Sequence, residues 1–176
     1  MIQRSLVDGS AFALVFDRHF ASVYRFLAAH WGHEVGGDLA SETFVLAFDQ
    51  RSRFDTTRVS ARPWLFGIAL NLSRMEARRR RREADATARG ATRDELEDFA
   101  EELVNRMDAV REASDLGISP ALRRLRAEDL TVLAMSVFGE MSHREIAEAL
   151  NLPAGTVKSR LHRTVKTLRA LLGTES

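Results

Sequence analysis

Polar side chains near the C-terminus have the types and the spacing of a DNA-reading helix. From residue 154 onward, apolar residues recur every three or four positions, a pattern that predicts an amphipathic helix. Its polar side carries Thr156, Lys158, Ser159, Arg160, His162, Arg163 and Lys166, and its predicted buried stripe is Val157, Leu161, Val165, Leu168 and Leu172. Arginine can pair with guanine, hydroxyl groups can contact several bases, and cations neutralise phosphates. We therefore expect this helix to bind duplex DNA.

The segments before this helix complete a helix-turn-helix pattern. Residues 128–138 predict a support helix that ends at Gly139. Ser142 and Glu145 have the spacing of a capping box, which starts a short helix over about residues 143–151. A turn at residues 151–153 leads into the longer helix, whose N-terminal part enters the major groove in this motif. The alternative is a plain amphipathic helix with a solvated basic face, but it explains neither the cap nor the turn.

A second basic face lies in the N-terminal half, on a helix predicted over residues 63–82. One side carries Trp64, Gly67, Asn71, Arg74 and Arg78, and the predicted buried stripe is Leu65, Ile68, Ala69, Leu72 and Met75. Residues 74–82 hold six arginines and one glutamate. An aromatic ring next to a row of cationic side chains could hold a melted DNA strand, because the bases of the strand can stack on the ring. A half-buried core tryptophan and a solvated arginine run are the alternatives.

Helical periodicity throughout predicts an all-α fold. A first helix over residues 10–31 places Phe12, Phe16, Phe20, Val23 and Leu27 inward. A turn at residues 32–37 then leads to a helix over residues 38–50, and residues 51–62 form a loop. We predict two small helical domains, residues 1–82 and 120–176, and the second contains the helix-turn-helix. A variable acidic linker, residues 83–119, joins them and includes an amphipathic helix over residues 94–113.

Composition excludes several classes of function. The chain has 176 residues, a net charge of +1 and no cysteine, so disulfides, thiolate metal sites and cysteine nucleophiles are ruled out. We find no nucleophile–base pair and no phosphate loop, so we expect neither an enzyme nor a cofactor. His30 and His33 have no further ligands nearby, which predicts a surface pair rather than a metal site. No segment has the length of a membrane span, which predicts no membrane insertion and a cytoplasmic protein.

Two groups of motifs resemble a known family. Glu145-Ile146-Ala147 and residues 155–163 (Gly-Thr-Val-Lys-Ser-Arg-Leu-His-Arg) resemble the promoter-reading domain of bacterial sigma factors of the extracytoplasmic-function (ECF) group. The group's second conserved region is similar to Asp38-Leu39 with Glu42-Thr43-Phe44, and to Pro63-Trp64-Leu65-Phe66 with Ile68-Ala69 and Asn71-Leu72. The matches lie in the expected order and together cover most of the chain.

This resemblance implies a factor that binds core RNA polymerase and directs promoter-specific initiation. The clamp helices of the polymerase would contact Asp38, Ser41, Glu42, Val45 and Asp49. The −10 element would contact Arg53, Arg62, Trp64, Asn71, Arg74, Arg78 and Arg79. The −35 element would contact the polar side of the C-terminal helix, whose domain would also bind the polymerase flap. An anti-sigma factor is a further expected partner.

A stand-alone helix-turn-helix regulator is the alternative function. Its N-terminal half would then serve dimerisation or signal sensing. Such a domain needs no second basic DNA face, so the stripe around Trp64 and Arg74 argues for the sigma factor. The chain departs from the group at Gly37-Asp38, where an acidic pair is common, and at Ser41, where glutamine is common. These departures affect individual clamp contacts rather than the docking surface.

Overall fold

The computed structural model describes residues 2–85, 119–122 and 124–172, and these residues form helices and turns with no strand. The N-terminal half contains α1 (Ile2–Ser5), α2 (Ala13–Trp31), α3 (His33–Asp49) and α4 (Arg62–Asp85), with short 3-10 turns at Gly9–Phe12 and Arg51–Arg53. The C-terminal half contains α5 (Ser119–Leu122), α6 (Ala127–Val137), α7 (His143–Ala149) and α8 (Ala154–Leu172). The all-α fold class is confirmed, and the helix predicted over residues 94–113 lies outside the described residues.

The junction of α2 and α3 differs from the predicted turn over residues 32–37. Only Gly32 leaves the helical conformation, with φ 82°, and α3 already begins at His33. Gly36 lies inside α3 because the helices cross closely there: a Cβ atom at this position would lie 2.6 Å from the Ala28 Cα atom. The glycines of this segment therefore serve helix packing as well as the turn.

Helix α4 is buried on more than one side, which corrects the predicted stripe. Leu65 and Ala69 are fully buried as predicted, but Met75 is 60% exposed. Phe66 and Leu70 take part in the core instead. On α2, the predicted core residue Phe16 is 39% exposed and stacks on Phe20. The reason for the wider burial of α4 is that the C-terminal half packs against its second side.

The C-terminal half contains the predicted helix-turn-helix. The Ser142 hydroxyl accepts a hydrogen bond from the Glu145 amide at 3.3 Å, and the Glu145 carboxylate accepts one from the Ser142 amide at 3.0 Å. This capping box starts α7, and Asn151 forms the turn in the left-handed region with φ 53°, which asparagine tolerates. Helices α7 and α8 therefore have the layout of the motif.

The buried stripe of α8 differs from the prediction at Val165. Val157 and Leu161 are buried, but the next inward residue is Thr164, whereas Val165 is 39% exposed. Seven residues complete almost two helical turns, so Thr164 returns to the side of Val157. Its hydroxyl donates to the Arg160 carbonyl at 2.8 Å, which satisfies the buried polar group.

The two halves pack against each other where the α6–α7 turn meets α4. Phe66 of α4 is fully buried and lies against Gly139, where a Cβ atom would be 2.7 Å from the ring. The same atom would lie 2.5 Å from the Met135 carbonyl oxygen, so this turn has room only for glycine. A Cβ atom at Gly67 would lie 3.9 Å from the Ala149 carbonyl oxygen. The first turns of α4 are thus covered by α7 and the turn before it.

Candidate nucleic-acid interface

The outer side of α8 presents most of the predicted DNA-reading residues to solvent. Lys158, Ser159, His162 and Lys166 are exposed, and Thr156 is half-buried. Val157, Leu161 and Thr164 hold the opposite side in the core. The Ser159 hydroxyl donates to the Thr156 carbonyl at 2.9 Å. The helix therefore displays a short polar face with two ammonium groups and an imidazole.

The two arginines predicted on this face are instead paired with carboxylates at the start of α6. The Arg160 guanidinium lies 2.6 Å from the Glu128 carboxylate. Arg163 donates to both carboxylate oxygens of Asp129, at 2.8 and 3.3 Å, and this hydrogen bonding raises the pKa of the guanidinium. The pairs connect α8 to α6 across the motif. The sequence signal that could have revealed them is the adjacent acidic pair Glu128-Asp129 in the first turn of the support helix.

The predicted −10 face on α4 is partly exposed. Asn71, Arg78 and Arg79 are exposed, Arg74 is half-buried, and Arg53 is exposed on the 3-10 turn before the loop. Trp64 is half-buried, with its ring centroid 5.1 Å from that of Phe54. The structure therefore agrees with the alternative of a half-buried tryptophan. Trp64 and Phe54 are each partly exposed to solvent.

The arginine run on α4 is partly neutralised by glutamates of the same helix. Arg79 donates to Glu76 at 2.8 Å and to Glu83 at 2.7 Å, and the bond to Glu76 raises the pKa of Arg79. Arg80 also donates to Glu76 at 2.8 Å, and its guanidinium lies over the Trp31 ring at 4.8 Å from the centroid. The hydrogen bond from Arg79 lowers the pKa of Glu76. The run therefore also anchors α4 to α2.

The loop before α4 and the first turn of α4 contact the C-terminal half. Arg62, a predicted −10 residue, donates to the Gly139 carbonyl oxygen. A cavity of about 690 Å³ opens beside it between the two halves. Its N-terminal wall carries Arg18, His19, Arg25, Arg58 and Arg62, and its C-terminal wall carries Glu140 and Glu145. Burial lowers the pKa of His19 to about 4, so this imidazole is neutral at pH 7.

Two ion pairs cross the boundary at the edge of this cavity. Arg25 lies 2.9 Å from the Glu140 carboxylate, and Arg58 lies 2.7 Å from that of Glu148. Sequence reasoning missed these pairs, because partners 90 residues apart, such as Arg58 and Glu148, leave no local pattern.

The predicted clamp-binding residues share one exposed side of α3. These residues are Asp38, Ser41, Glu42, Val45 and Asp49, and each is exposed. Val45 is the large apolar residue among them, at 60% exposure. Leu39, Ala40 and Phe44 hold the opposite side in the core. The helix thus offers a continuous polar surface with one apolar contact point.

The histidine prediction needs a correction. His30 is fully buried rather than on the surface, and burial lowers its pKa to about 3. The His33 ring nitrogen lies 2.8 Å from the Tyr24 hydroxyl. Within residues 2–85, 119–122 and 124–172, no three metal-ligating side chains of the His, Cys, Asp or Glu type come together. The helices described in these ranges are each too short or too polar to cross a membrane.

Family comparisons match both halves of the chain. Residues 15–83 match the sigma-70 region 2 family, and residues 113–168 match the sigma-70 region 4 family. The ECF RNA polymerase sigma factor SigW of Bacillus subtilis is 31% identical over an alignment of 172 residues, and the match covers 94% of this chain and 90% of SigW. The ECF RNA polymerase sigma factor SigL of Mycobacterium tuberculosis is 32% identical over an alignment of 162 residues, and the match covers 90% of this chain and 86% of SigL.

Solved structures show the same fold. CnrH, in complex with the cytosolic domain of CnrY, superposes with a TM-score of 0.65 at 23% identity, covering 99% of this chain and 95% of that one. The sigma factor RpoE from Bartonella quintana, in complex with the anti-sigma factor NepR, gives a TM-score of 0.65 at 18% identity, with 94% and 99% coverage. The two sigma regions in one chain agree with the promoter-directing function rather than with a stand-alone regulator or an enzyme. The chain belongs to the ECF group of the sigma-70 family, and it is an RNA polymerase sigma factor, which binds core polymerase and promoter DNA to initiate transcription.

Proposed function

We propose a residue-level division of the sigma function among three surfaces of this chain. The observation that carries the proposal is that the residues assigned to α3 and to α8 each lie on one side of their helix, and those assigned to the −10 element lie on α4 and in the segment just before it, within segments that match the sigma regions. We assign residues 1–82 to the −10 and clamp-binding domain, residues 83–119 to the linker, and residues 120–176 to the −35 domain, which also binds the polymerase flap.

Helix α8 reads the −35 element in the major groove. Thr156 and Ser159 contact bases, and Lys158, His162 and Lys166 contact bases or phosphates. Arg160 and Arg163 belong to this surface as well. A guanidinium has five N–H donors, so pairing with one carboxylate of α6 leaves donors that can reach a phosphate. The α6 pairs then orient both arginines before DNA binds.

The loop before α4 and the outer side of α4 bind the −10 element. Trp64 and Phe54 offer an aromatic platform for an unstacked base, since stacking contributes roughly 1–3 kcal/mol per base. The cationic and amide groups that follow the strand are Arg53, Arg62, Asn71, Arg74, Arg78 and Arg79. The surface therefore combines stacking with a cationic track, as single-strand binding requires.

The exposed side of α3 binds the polymerase clamp helices. Asp38, Ser41, Glu42 and Asp49 supply polar contacts around Val45, whose exposed side chain would be buried on binding. By analogy with RpoE of Bartonella quintana, whose structure contains the anti-sigma factor NepR, we also propose an anti-sigma factor as a partner of this chain. The site of action is the cytoplasm, where RNA polymerase is found, and no cofactor takes part.

Run-off transcription with purified core polymerase and a genomic promoter library tests the proposal. Addition of the chain should produce new specific start sites that reveal both promoter elements. Lys158→Ala should weaken initiation at promoters that depend on the −35 element. Arg4→Ala is the matched control, because Arg4 is an exposed cation outside the three surfaces. No new start sites, together with tight duplex binding by the chain alone, would instead support the stand-alone regulator.

A further inference from the structure

The two arginine pairs that join α8 to α6 differ in which partner is buried. In the Arg160–Glu128 pair, the arginine side chain is 19% exposed and the glutamate side chain is 48% exposed. In the Arg163–Asp129 pair the order is reversed, because the arginine side chain is 53% exposed and the aspartate side chain is 5% exposed. Arg163 is therefore an exposed cation that is anchored from inside the fold.

The anchor holds the guanidinium of Arg163 along one edge. Its Nε atom donates to Oδ2 of Asp129 at 3.3 Å, and its Nη2 atom donates to Oδ1 at 2.8 Å and to Oδ2 at 3.1 Å. The planar fork has a second edge, formed by Nη1 and Nη2, with further N–H donors. Among the residues that the structure describes, none accepts a hydrogen bond from Nη1 of Arg163. The pair therefore leaves this second edge open to a ligand.

Asp129 is well suited to fix the direction of the open edge. It lies in the first turn of α6, whose residues Leu130 and Val132 are buried in the core. A negative side chain is also favourable at a helix N-terminus. A guanidinium bound to such a fixed carboxylate keeps fewer orientations than a free one, so less conformational entropy is lost when it binds a ligand. The carboxylate thus presets where the open edge points.

The position of Arg163 on α8 indicates which ligand this edge meets. Arg163 follows Thr156 by seven residues and Ser159 by four, so the three side chains lie on one side of the helix. That side is the one proposed above to enter the major groove. Two N–H donors in a fixed fork match the O6 and N7 acceptors of guanine there, and this pairing identifies the base. A phosphate contact carries no such information.

We propose that Asp129 is a positioning residue for promoter recognition, and that it holds Arg163 so that the open edge binds one guanine of the −35 element. This inference rests on the −35 function proposed for α8. Asp129 is too buried to contact the DNA and acts through Arg163. Glu128 has no such effect on the choice of base, because Arg160 is largely covered and is left with phosphate contacts.

Competition between promoter fragments for the chain bound to core RNA polymerase tests the role of Asp129. The probes are the promoter of a start site found by run-off transcription and variants of it, in which each −35 base pair is replaced in turn. The wild type should prefer guanine at one position by roughly ten-fold. Asp129→Asn keeps the size of the side chain but removes its charge and one acceptor, so it should lose most of this preference. Because the preference is a ratio measured on one protein sample, a smaller folded fraction does not change it.

Two further variants separate positioning from a general effect of charge or stability. Glu128→Gln is the matched control, since it makes the same change of charge at the neighbouring residue, and it should keep the guanine preference. Arg163→Ala should abolish the preference, and Asp129→Asn in that background should have no further effect on it. Equal loss of the preference in Glu128→Gln would overturn the assignment to Asp129.

Three other results would also overturn the inference. They are a full guanine preference in Asp129→Asn, a wild type with no guanine preference at any −35 position, and tighter binding of every fragment by Asp129→Asn. The last result would mean that the carboxylate competes with DNA for Arg163 instead of positioning it. Failure of the wild type to produce any start site would count against the proposed function itself, and is recognised before a promoter variant is made.

Discussion

The two arginine-rich helices of this sigma factor hold their charges in different ways. On α8, Arg160 and Arg163 are tied to carboxylates of α6 within the same half, and Lys158 and Lys166 are exposed beside them. On α4, Arg79 is tied to glutamates of its own helix, and the first turn is covered by the opposite half. A count of arginines therefore overstates how many are available to DNA in the free chain.

The difference follows from where each helix lies. Helix α8 is at the surface and packs on one side, and its Arg160 and Arg163 pair with carboxylates of the neighbouring α6. Helix α4 packs against α2 and α3 on one side and against α7 on another, so its charges meet partners from several elements. Arginine suits both settings because its planar fork binds a carboxylate through two hydrogen bonds.

The largest expected effect is a loss of folding stability in acid, caused by protonation of His30 on the α4 side of the molecule. Burial, with a smaller contribution from Arg80, lowers the pKa of His30 to about 3, whereas the unfolded value is about 6.5. The folded state excludes the proton, so stability is complete above pH 6.5 and is lost as the pH falls toward 3. The loss at pH 5 should be about 2 kcal/mol. Urea unfolding at pH 7 and pH 5 measures it, with fluorescence from Trp31 and Trp64.

The variant His30→Leu is the control for this pH dependence. It removes the titrating group from the α2–α4 contact and should flatten the dependence. Burial also lowers the pKa of His19, to about 4, so its protonation weakens the fold in the same direction. Because His19 is partly exposed to solvent, which screens its interactions, it should leave a weaker residual slope. An unchanged slope in His30→Leu would show that another group controls acid unfolding.

Removal of the Asp129 carboxylate should have the next largest effect, on the α8 side. Asp129 is 4% exposed, and both of its carboxylate oxygens accept hydrogen bonds from Arg163. Asp129→Ala should lower the free energy of unfolding by about 1–3 kcal/mol, because charged hydrogen bonds are lost in a buried position. Unfolding followed by circular dichroism measures the loss. Most of it should disappear in an Arg163→Ala background; equal losses in both backgrounds would mean that the two residues act independently.

Local patterns in the sequence predicted the elements but not their partners. The capping box of Ser142 and Glu145 and the apolar period of α8 involve neighbours along one helix, so they are readable from the chain. The predicted turn over residues 32–37 was wrong because Gly36 lies inside α3, where it packs closely against Ala28 of another helix. The predicted core of α4 included Met75, which is exposed, and missed Phe66, which is buried. The packing of the C-terminal half on α4 leaves no local pattern in the sequence from which this could be predicted.

For the candidate site too, the sequence predicted which residues lie on the exposed sides of the helices but not which side chains they pair with. The polar sides of α3, α4 and α8 follow from helical spacing, and the resemblance to the family gives each a proposed role. The pairing of Arg160 and Arg163 with Glu128 and Asp129 depends on how α6 crosses α8, which spacing does not give. The cross-boundary pair of Arg58 and Glu148 depends on the arrangement of the two halves in the same way.

Lys158→Ala should change DNA binding rather than stability. Lys158 is exposed on the outer side of α8, so its loss removes one cation from the phosphate contacts. Affinity for the −35 duplex should fall by roughly ten-fold or less, and the slope of log K against log salt should decrease by about 1. Fluorescence anisotropy over a series of salt concentrations measures both quantities. An unchanged salt slope would remove Lys158 from the DNA surface.

The smallest effect is expected for Arg79→Ala on α4, although Arg79 makes as many ion-pair contacts as Arg163. Its partner Glu83 is 61% exposed, and its other partner Glu76, at 11%, keeps the hydrogen bond from Arg80, whereas the Asp129 side chain is 5% exposed. Water and salt screen an exposed pair, and most such pairs contribute little to stability. Thermal melts of Arg79→Ala should therefore match the wild type within replicate scatter, while Asp129→Ala melts at a lower temperature. Equal destabilisation by the two variants would mean that burial does not separate the two helices, and that the arginine run on α4 is needed for folding rather than held ready for DNA.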